Sequence, residues 1–227
     1  MYNPASMNKP PFDLVIFDCD GVLVESEELA CRVYVDMLRD YGYSLEYKET
    51  LHKFYGMTLD TRLKISAQEL DWTPPEDFKP IFFQRQRELS RTQLRAIPHI
   101  HELIESITLP ICVASNGSRE EVIFRLTTAG LIERFGSAIF SGAEMPRPKP
   151  APDVYLAAAA SFNIHPSRCI VIEDSVLGAT AAIHAGMKVY GYVGFHSAEA
   201  LQAAGATPFT SMRELKEIFD REYSLAQ

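Results

Sequence analysis

Short apolar runs that end abruptly at polar residues constrain this chain more than any other feature. Phe12-Asp13-Leu14-Val15-Ile16-Phe17 is apolar and β-branched, and it stops at Asp18-Cys19-Asp20-Gly21. Consecutive rather than alternating apolar residues suit a strand covered on both faces, closed by a turn. Similar runs recur at Pro110 to Ala114, Ala138 to Phe140, Cys169 to Ile172 and Lys188 to Val193. Helical patterns lie between them. His101 to Ile107 is one; Ser118 to Ala129 opens with a Ser118-x-x-Glu121 capping box and closes at Gly130. Pro152 to Phe162 has proline in its first turn, and Val176 to Ala185 ends at Gly186. Alternating strands and helices predict βαβ units, hence an α/β fold with a mostly parallel sheet and helices on both faces.

One interval breaks the alternation. From about Leu29 to Arg95 the periodicity is helical. Leu29, Val33, Met37 and Leu38 line one face of a helix that ends near Gly42. Further helices are expected at Leu45 to Tyr55, Leu59 to Leu70 and Asp77 to Arg95, the last two split by Thr73-Pro74-Pro75. The predicted organisation is a core of residues 1–28 and 96–227 carrying a helical insertion of residues 29–95, with Pro98 marking the return. A chain of 227 residues suits one sizeable domain with such an insertion, and 47% hydrophobic residues exclude intrinsic disorder.

The charge balance narrows the partners. With 22 basic against 30 acidic side chains, the net charge of −8 argues against binding nucleic acid or an anionic membrane. No apolar run approaches the ~18 to 20 residues that cross a bilayer, and Met1 to Pro11 is polar, without a hydrophobic signal core. The four cysteines show no CxxC spacing, and Cys112 and Cys169 sit in apolar runs as small hydrophobes. The expectation is a cytoplasmic, monomeric protein with a small-molecule partner.

Four constellations carry chemistry. Asp18 and Asp20, at i and i+2 on an extended segment, project to the same side a few ångströms apart. Like charges that close are costly unless a cation sits between them or one is protonated, and Mg²⁺ prefers such oxygen donors; the same residues also suit a plain D-G turn. Ser115-Asn116-Gly117-Ser118 follows a strand and precedes a capped helix, which fits an anion site or a bare cap. Lys149 lies in Pro148-Lys149-Pro150-Ala151-Pro152, where prolines fix its starting point. Glu173-Asp174-Ser175 ends a buried run, as metal ligands or as a helix N-cap. All four fall at strand ends, the edge of an open α/β sheet where ligands gather.

In that order, these motifs resemble the haloacid dehalogenase superfamily, in the branch of β-phosphoglucomutases and sugar-phosphate phosphatases with a helical cap after the first strand. The carrying residues are Asp18-Cys19-Asp20-Gly21-Val22-Leu23, Ser115-Asn116-Gly117, Lys149-Pro150-Ala151-Pro152-Asp153 and Glu173-Asp174-Ser175, and the likeness runs from Phe12 to about Phe219. It implies a Rossmann-like core with a cap that closes over the site. It also implies that Asp18 is the nucleophile forming an aspartyl-phosphate and that Asp20 is the general acid and base. Mg²⁺ would be held by the Asp18 carboxylate, the Asp20 main-chain carbonyl and Asp174, with Glu173 touching it or just behind. Ser115, Asn116, Gly117 and Lys149 would bind the phosphoryl group.

Asp20 favours phosphate chemistry over dehalogenation, which does not need the second acid. Within the family, mutases typically show a His soon after the first motif, where Ala30 stands, and a basic residue after a Gly-x-Ser, where Leu59 follows Gly56-Met57-Thr58. These departures favour a phosphatase acting on a sugar or sugar-acid phosphate over a mutase, with a non-catalytic phosphate-sensing module as the remaining alternative. The usual Gly after the re-entry proline is here His99.

Elsewhere readings stay paired. Glu25 and Ser26 are candidates for gating or for a substrate hydroxyl, or form a helix N-terminus with Ser26 and Glu27 capping. Arg62 and Lys53 reach a second anion or are solvated. Arg87, Arg91 and Arg95, interleaved with Glu88, read as a solvated basic helix face, and Trp72 as cap packing.

Overall fold

The computed structural model describes residues 12–223, so the polar stretch from Met1 to Pro11 lies outside it. The described chain divides into two compact units, one up to Leu23 and from Ala96 onward, the other Val24–Arg95.

The first unit is built on six parallel strands: β1 (Leu14–Phe17), β2 (Ile111–Ser115), β3 (Ile139–Ser141), β4 (Cys169–Glu173), β5 (Lys188–Tyr192) and β6 (Thr207–Phe209), in the order β3-β2-β1-β4-β5-β6. Every residue of β1, β2 and β4 is buried, as unbroken apolar runs require of a doubly covered sheet. The covering helices are α5 (Ile100–Ser106), α6 (Arg119–Thr128), α7 (Ile132–Phe135), α8 (Asp153–Ser161), α9 (Val176–His184), α10 (Ala198–Ala203) and α11 (Met212–Tyr223). Val154, Tyr155, Ala158, Ala179 and Ala182 of α8 and α9 pack with Leu14, Ile16 and Val171 of the sheet. From β1 the sheet grows one way through β2 and β3, then the other way from β4. The growth direction reverses between β1 and β4, and open α/β sheets form their ligand crevice at such a reversal.

Caps fix where the helices start. Ser118 Oγ accepts from the Glu121 N–H and Ser175 Oγ from the Gly178 N–H. After Pro98, His99 takes a left-handed backbone (φ 66°) and stands at the N-cap of α5. The departure from glycine there therefore puts a side chain on backbone that costs about 1 kcal/mol for residues bearing a Cβ. The runs of the sequence end at Val193, yet α10, β6 and α11 follow. With three residues, one of them Pro208, β6 is too short to show a pattern, and its edge position tolerates the missing N–H donor.

The second unit holds α1 (Glu27–Asp40), α2 (Tyr47–Phe54), α3 (Leu59–Glu69) and α4 (Phe78–Gln93). Tyr34 of α1 is its centre: fully buried, it meets Phe54, Phe78 and Phe82 edge-on, with centroids 5.7, 6.1 and 6.4 Å away. Its hydroxyl donates to Ser66 Oγ at 2.7 Å. Trp72 packs on Tyr41, Tyr43 and Phe78. Lys53 pairs with Glu69. Arg62 is buried, its Nε donating to the Met57 carbonyl and its Nη2 to Glu27 at 2.6 Å. Two expectations need correction. Ser26 stands before α1 without a side-chain capping bond, because its backbone is near-helical rather than extended. Arg95 lies beyond α4, where Leu94 turns extended, so Arg87, Arg91 and Arg95 do not share one helix face. Glu25, also of this unit, is exposed; its N–H donates to the Arg95 carbonyl. Partial burial and Glu28 raise its carboxyl above the ordinary range, with Arg95 opposing. Among the described residues no helix is long and apolar enough to cross a membrane.

Candidate active site

Parallel register gathers the site. Phe17, the last residue of β1, stands beside Val113 of β2 and Ile172 of β4. Asp18 follows it, its N–H donating to the Ile172 carbonyl at 2.9 Å. The next residues of the neighbouring strands are Ala114 and Glu173, and both meet the same lysine. Lys149 Nζ donates to Asp18 Oδ1 at 2.6 Å, to the Ala114 carbonyl at 2.8 Å and to Glu173 Oε1 at 2.8 Å. An ammonium has three N–H bonds, so all are taken up. The cation also lies 4.7 Å from the centroid of the Tyr155 ring.

The loop carrying Lys149 is held by Asn116. Its Oδ1 accepts from the Lys149 N–H at 2.8 Å and its Nδ2 donates to the Lys149 carbonyl at 3.3 Å, so its side-chain amide clamps the lysine backbone. Gly142 makes room: a Cβ there would lie 2.5 Å from Asn116 Oδ1. Ser115 is buried, and its Oγ accepts from the Gly117 N–H at 3.1 Å, while the Ser141 hydroxyl donates to the Gly117 carbonyl at 2.7 Å. The Ser115–Gly117 turn is thereby pinned at the end of β2.

Glu173 is saturated. Oε1 takes the Lys149 bond and one from the Tyr155 hydroxyl at 3.0 Å; Oε2 accepts from the N–H groups of Asp174 and Ser175 and from the Ser175 hydroxyl. Gly178 of α9 leaves space for it, since a Cβ there would fall 1.6 Å from Oε1.

These contacts set the charge states. Burial pushes the Asp18 carboxyl up to about 7, with Glu173 and Asp20 adding to the rise and Lys149 opposing it. Burial would also raise Glu173, but Lys149 and Ser175 outweigh it and hold the carboxyl below the ordinary range. For Lys149 burial pulls down, while Asp18 and Glu173 win and lift it well above its ordinary value.

Asp18, Glu173 and Asp174 are all buried, with donor atoms within 4.8 Å of one another. Three buried carboxylates outnumber the Lys149 ammonium, which pairs with two of them. Hard oxygen donors with that imbalance fit a divalent cation. Gly21, at φ +79°, shapes the approach: a Cβ there would sit 2.0 Å from Asp174 Oδ2. Asp20 is half-buried and meets a different cation, with Arg125 Nη1 donating to its Oδ2 at 2.6 Å. Glu25 belongs to the helical unit.

Sequence reasoning missed Arg125, Tyr155, Gly142 and Gly178. An arginine late in an amphipathic helix reads as a solvated face, and a tyrosine in an apolar one as core; only contacts across the fold separate them.

Comparison with known proteins agrees with this geometry. The sequence model for haloacid dehalogenase-like hydrolases matches residues 15–192. The chain belongs to that family. Similar curated proteins are the 6-phosphogluconate phosphatase of Escherichia coli K12, 31% identical over 208 residues covering 91% of this chain and 94% of its own, and a phosphorylated carbohydrates phosphatase of Thermotoga maritima, 29% identical over 213 residues with 91% and 97% covered. Among solved structures, a family hydrolase of Deinococcus radiodurans holding phosphate and sodium is 35% identical, with TM-score 0.79 over 93% of this chain and 97% of that one. The fold is the α/β fold of this family, and the two curated relatives are named as phosphatases, of 6-phosphogluconate and of phosphorylated carbohydrates.

Proposed function

We propose that the chain is a Mg²⁺-dependent phosphatase that hydrolyses a small phosphorylated metabolite, a sugar or sugar-acid phosphate, through a phosphorylated Asp18. The observation that carries it is the pairing of Lys149 with a buried Asp18 inside a cluster of three buried carboxylates. The phosphatase relatives support the same chemistry. The dication would be held by Asp18, Asp174 and the main-chain carbonyl of Asp20, and it supplies the neutralisation that lets an anionic nucleophile approach an anionic phosphate. Glu173 seats Lys149 in this reading, because its oxygens already accept five hydrogen bonds.

An Asp18 oxygen attacks phosphorus and the bond to the leaving oxygen breaks. Asp20 gives that oxygen a proton. Asp20 then takes a proton from water as water attacks phosphorus, and the Asp18–phosphorus bond breaks to release phosphate. Lys149 neutralises the phosphoryl group from beside Asp18 and the Ser115–Gly117 turn binds its oxygens, work that is mainly positioning and neutralisation. Four buried, unpaired cysteines support a cytoplasmic setting.

The test is a panel of phosphorylated metabolites assayed with Mg²⁺ or chelator, beside Asp18→Asn. Phosphate released only by the metal-loaded, intact protein is the expected result. Phosphate moved within the sugar without net release, or silence across the panel, would overturn it.

A further inference from the structure

The proposed acid–base Asp20 has a cation of its own, supplied from 105 residues away. Arg125 stands in the last turn of α6, and its guanidinium meets Asp20 at 2.6 Å with only 12% of the arginine side chain and 25% of the aspartate side chain exposed. The same Nη1 comes within 3.4 Å of where a Gly117 Cβ would be, so the guanidinium packs against the Ser115–Gly117 turn. Lys149 serves the nucleophile and Arg125 serves the residue two positions on. The two aspartates of one motif are thus oriented by separate cations from separate elements.

We infer that Arg125 is a positioning residue for Asp20: by binding its carboxylate it holds that group where it can reach the leaving oxygen and then the incoming water. Arginine suits the task, since its guanidinium keeps its charge and its rigid fork loses little freedom on binding. Proton transfer is sensitive to geometry, because a general acid works only within hydrogen-bond reach of its target. The inference rests on the reading of Asp20 as the acid and base.

The experiment compares Arg125→Met, Arg125→Lys and Asp20→Asn on p-nitrophenyl phosphate and phenyl phosphate with Mg²⁺. The two probes are similar in shape, but the phenoxide leaves less readily and depends more on protonation. For Arg125→Met, kcat on phenyl phosphate is expected to fall at least about tenfold more than on p-nitrophenyl phosphate, a fraction of what a general acid typically contributes. KM is expected to change little on either, and Arg125→Lys to recover part of the loss. Equal losses on both probes, or an effect confined to KM, would overturn the inference. Asp20→Asn separates the two levels. If it shows no leaving-group dependence, the reading of Asp20 fails and the inference falls with it; if it shows that dependence and Arg125→Met does not, the inference alone fails.

Discussion

A glycine in a helix is ordinarily a weakness, since alanine in its place gains up to about 1 kcal/mol. Gly178 of α9 should reverse that rule, because the added methyl would collide with Glu173 Oε1. Gly178→Ala is expected to lose about 1 to 3 kcal/mol, the range for overpacking a filled site, read by denaturant unfolding, and to lose phosphatase activity as Lys149 is unseated. The thiols give a second outcome at this scale. Burial above all lifts Cys31 and Cys169 to about 11 and Cys112 higher still, and all four cysteines are buried. Folded protein at pH 8 should therefore be nearly inert to a disulfide reagent such as DTNB, reacting only after unfolding; rapid reaction of the native protein would contradict it. Asp18, Lys149 and Asp174 were legible because reactive residue types at the ends of buried runs have few structural reasons to be there. Arg125 and Tyr155 were not, because helical residues carry no mark of which distant side chain they meet. Asn116 stood out as a candidate at the end of a buried run, yet its clamp on Lys149 depends on how two loops approach one another.

At the scale of elements, the runs that became β1, β2 and β4 were readable because central parallel strands must be apolar on both faces. The edge strand β6 escapes the same logic through its length and its proline. The helical unit was readable as helices, but its aromatic centre needed the packing of α1 against α4. Phe78 is fully buried and touches Tyr34, Tyr41 and Trp72. Phe78→Ala should cost about 3 to 5 kcal/mol, as large-to-small aromatic changes in cores do. Hydrogen exchange is the measurement, and amides of α1 to α4 should lose protection first, because opening is local to a cooperative unit.

For the whole molecule, a net charge of −8 identifies no partner. What matters is where that charge is buried. Crowding the buried Asp18, Glu173 and Asp174 carboxyl groups at the ends of β1 and β4 penalises the metal-free fold, so Mg²⁺ should raise the thermal midpoint with its concentration. Mass action predicts about 2.7 kcal/mol at a hundredfold excess over the dissociation constant. Asp174→Asn should abolish most of the shift, and an equal shift in that variant would argue that the cation binds elsewhere. The central claim is that Asp18 carries the phosphoryl group between substrate and water. The most direct measurement is acid quenching of Asp20→Asn during turnover with Mg²⁺, followed by mass spectrometry of the peptide containing Asp18. A phosphoryl group on Asp18, absent from the Asp18→Asn protein, is the predicted result; phosphate release by Asp18→Asn at the parent rate, with no phosphorylated peptide at any time, would contradict it.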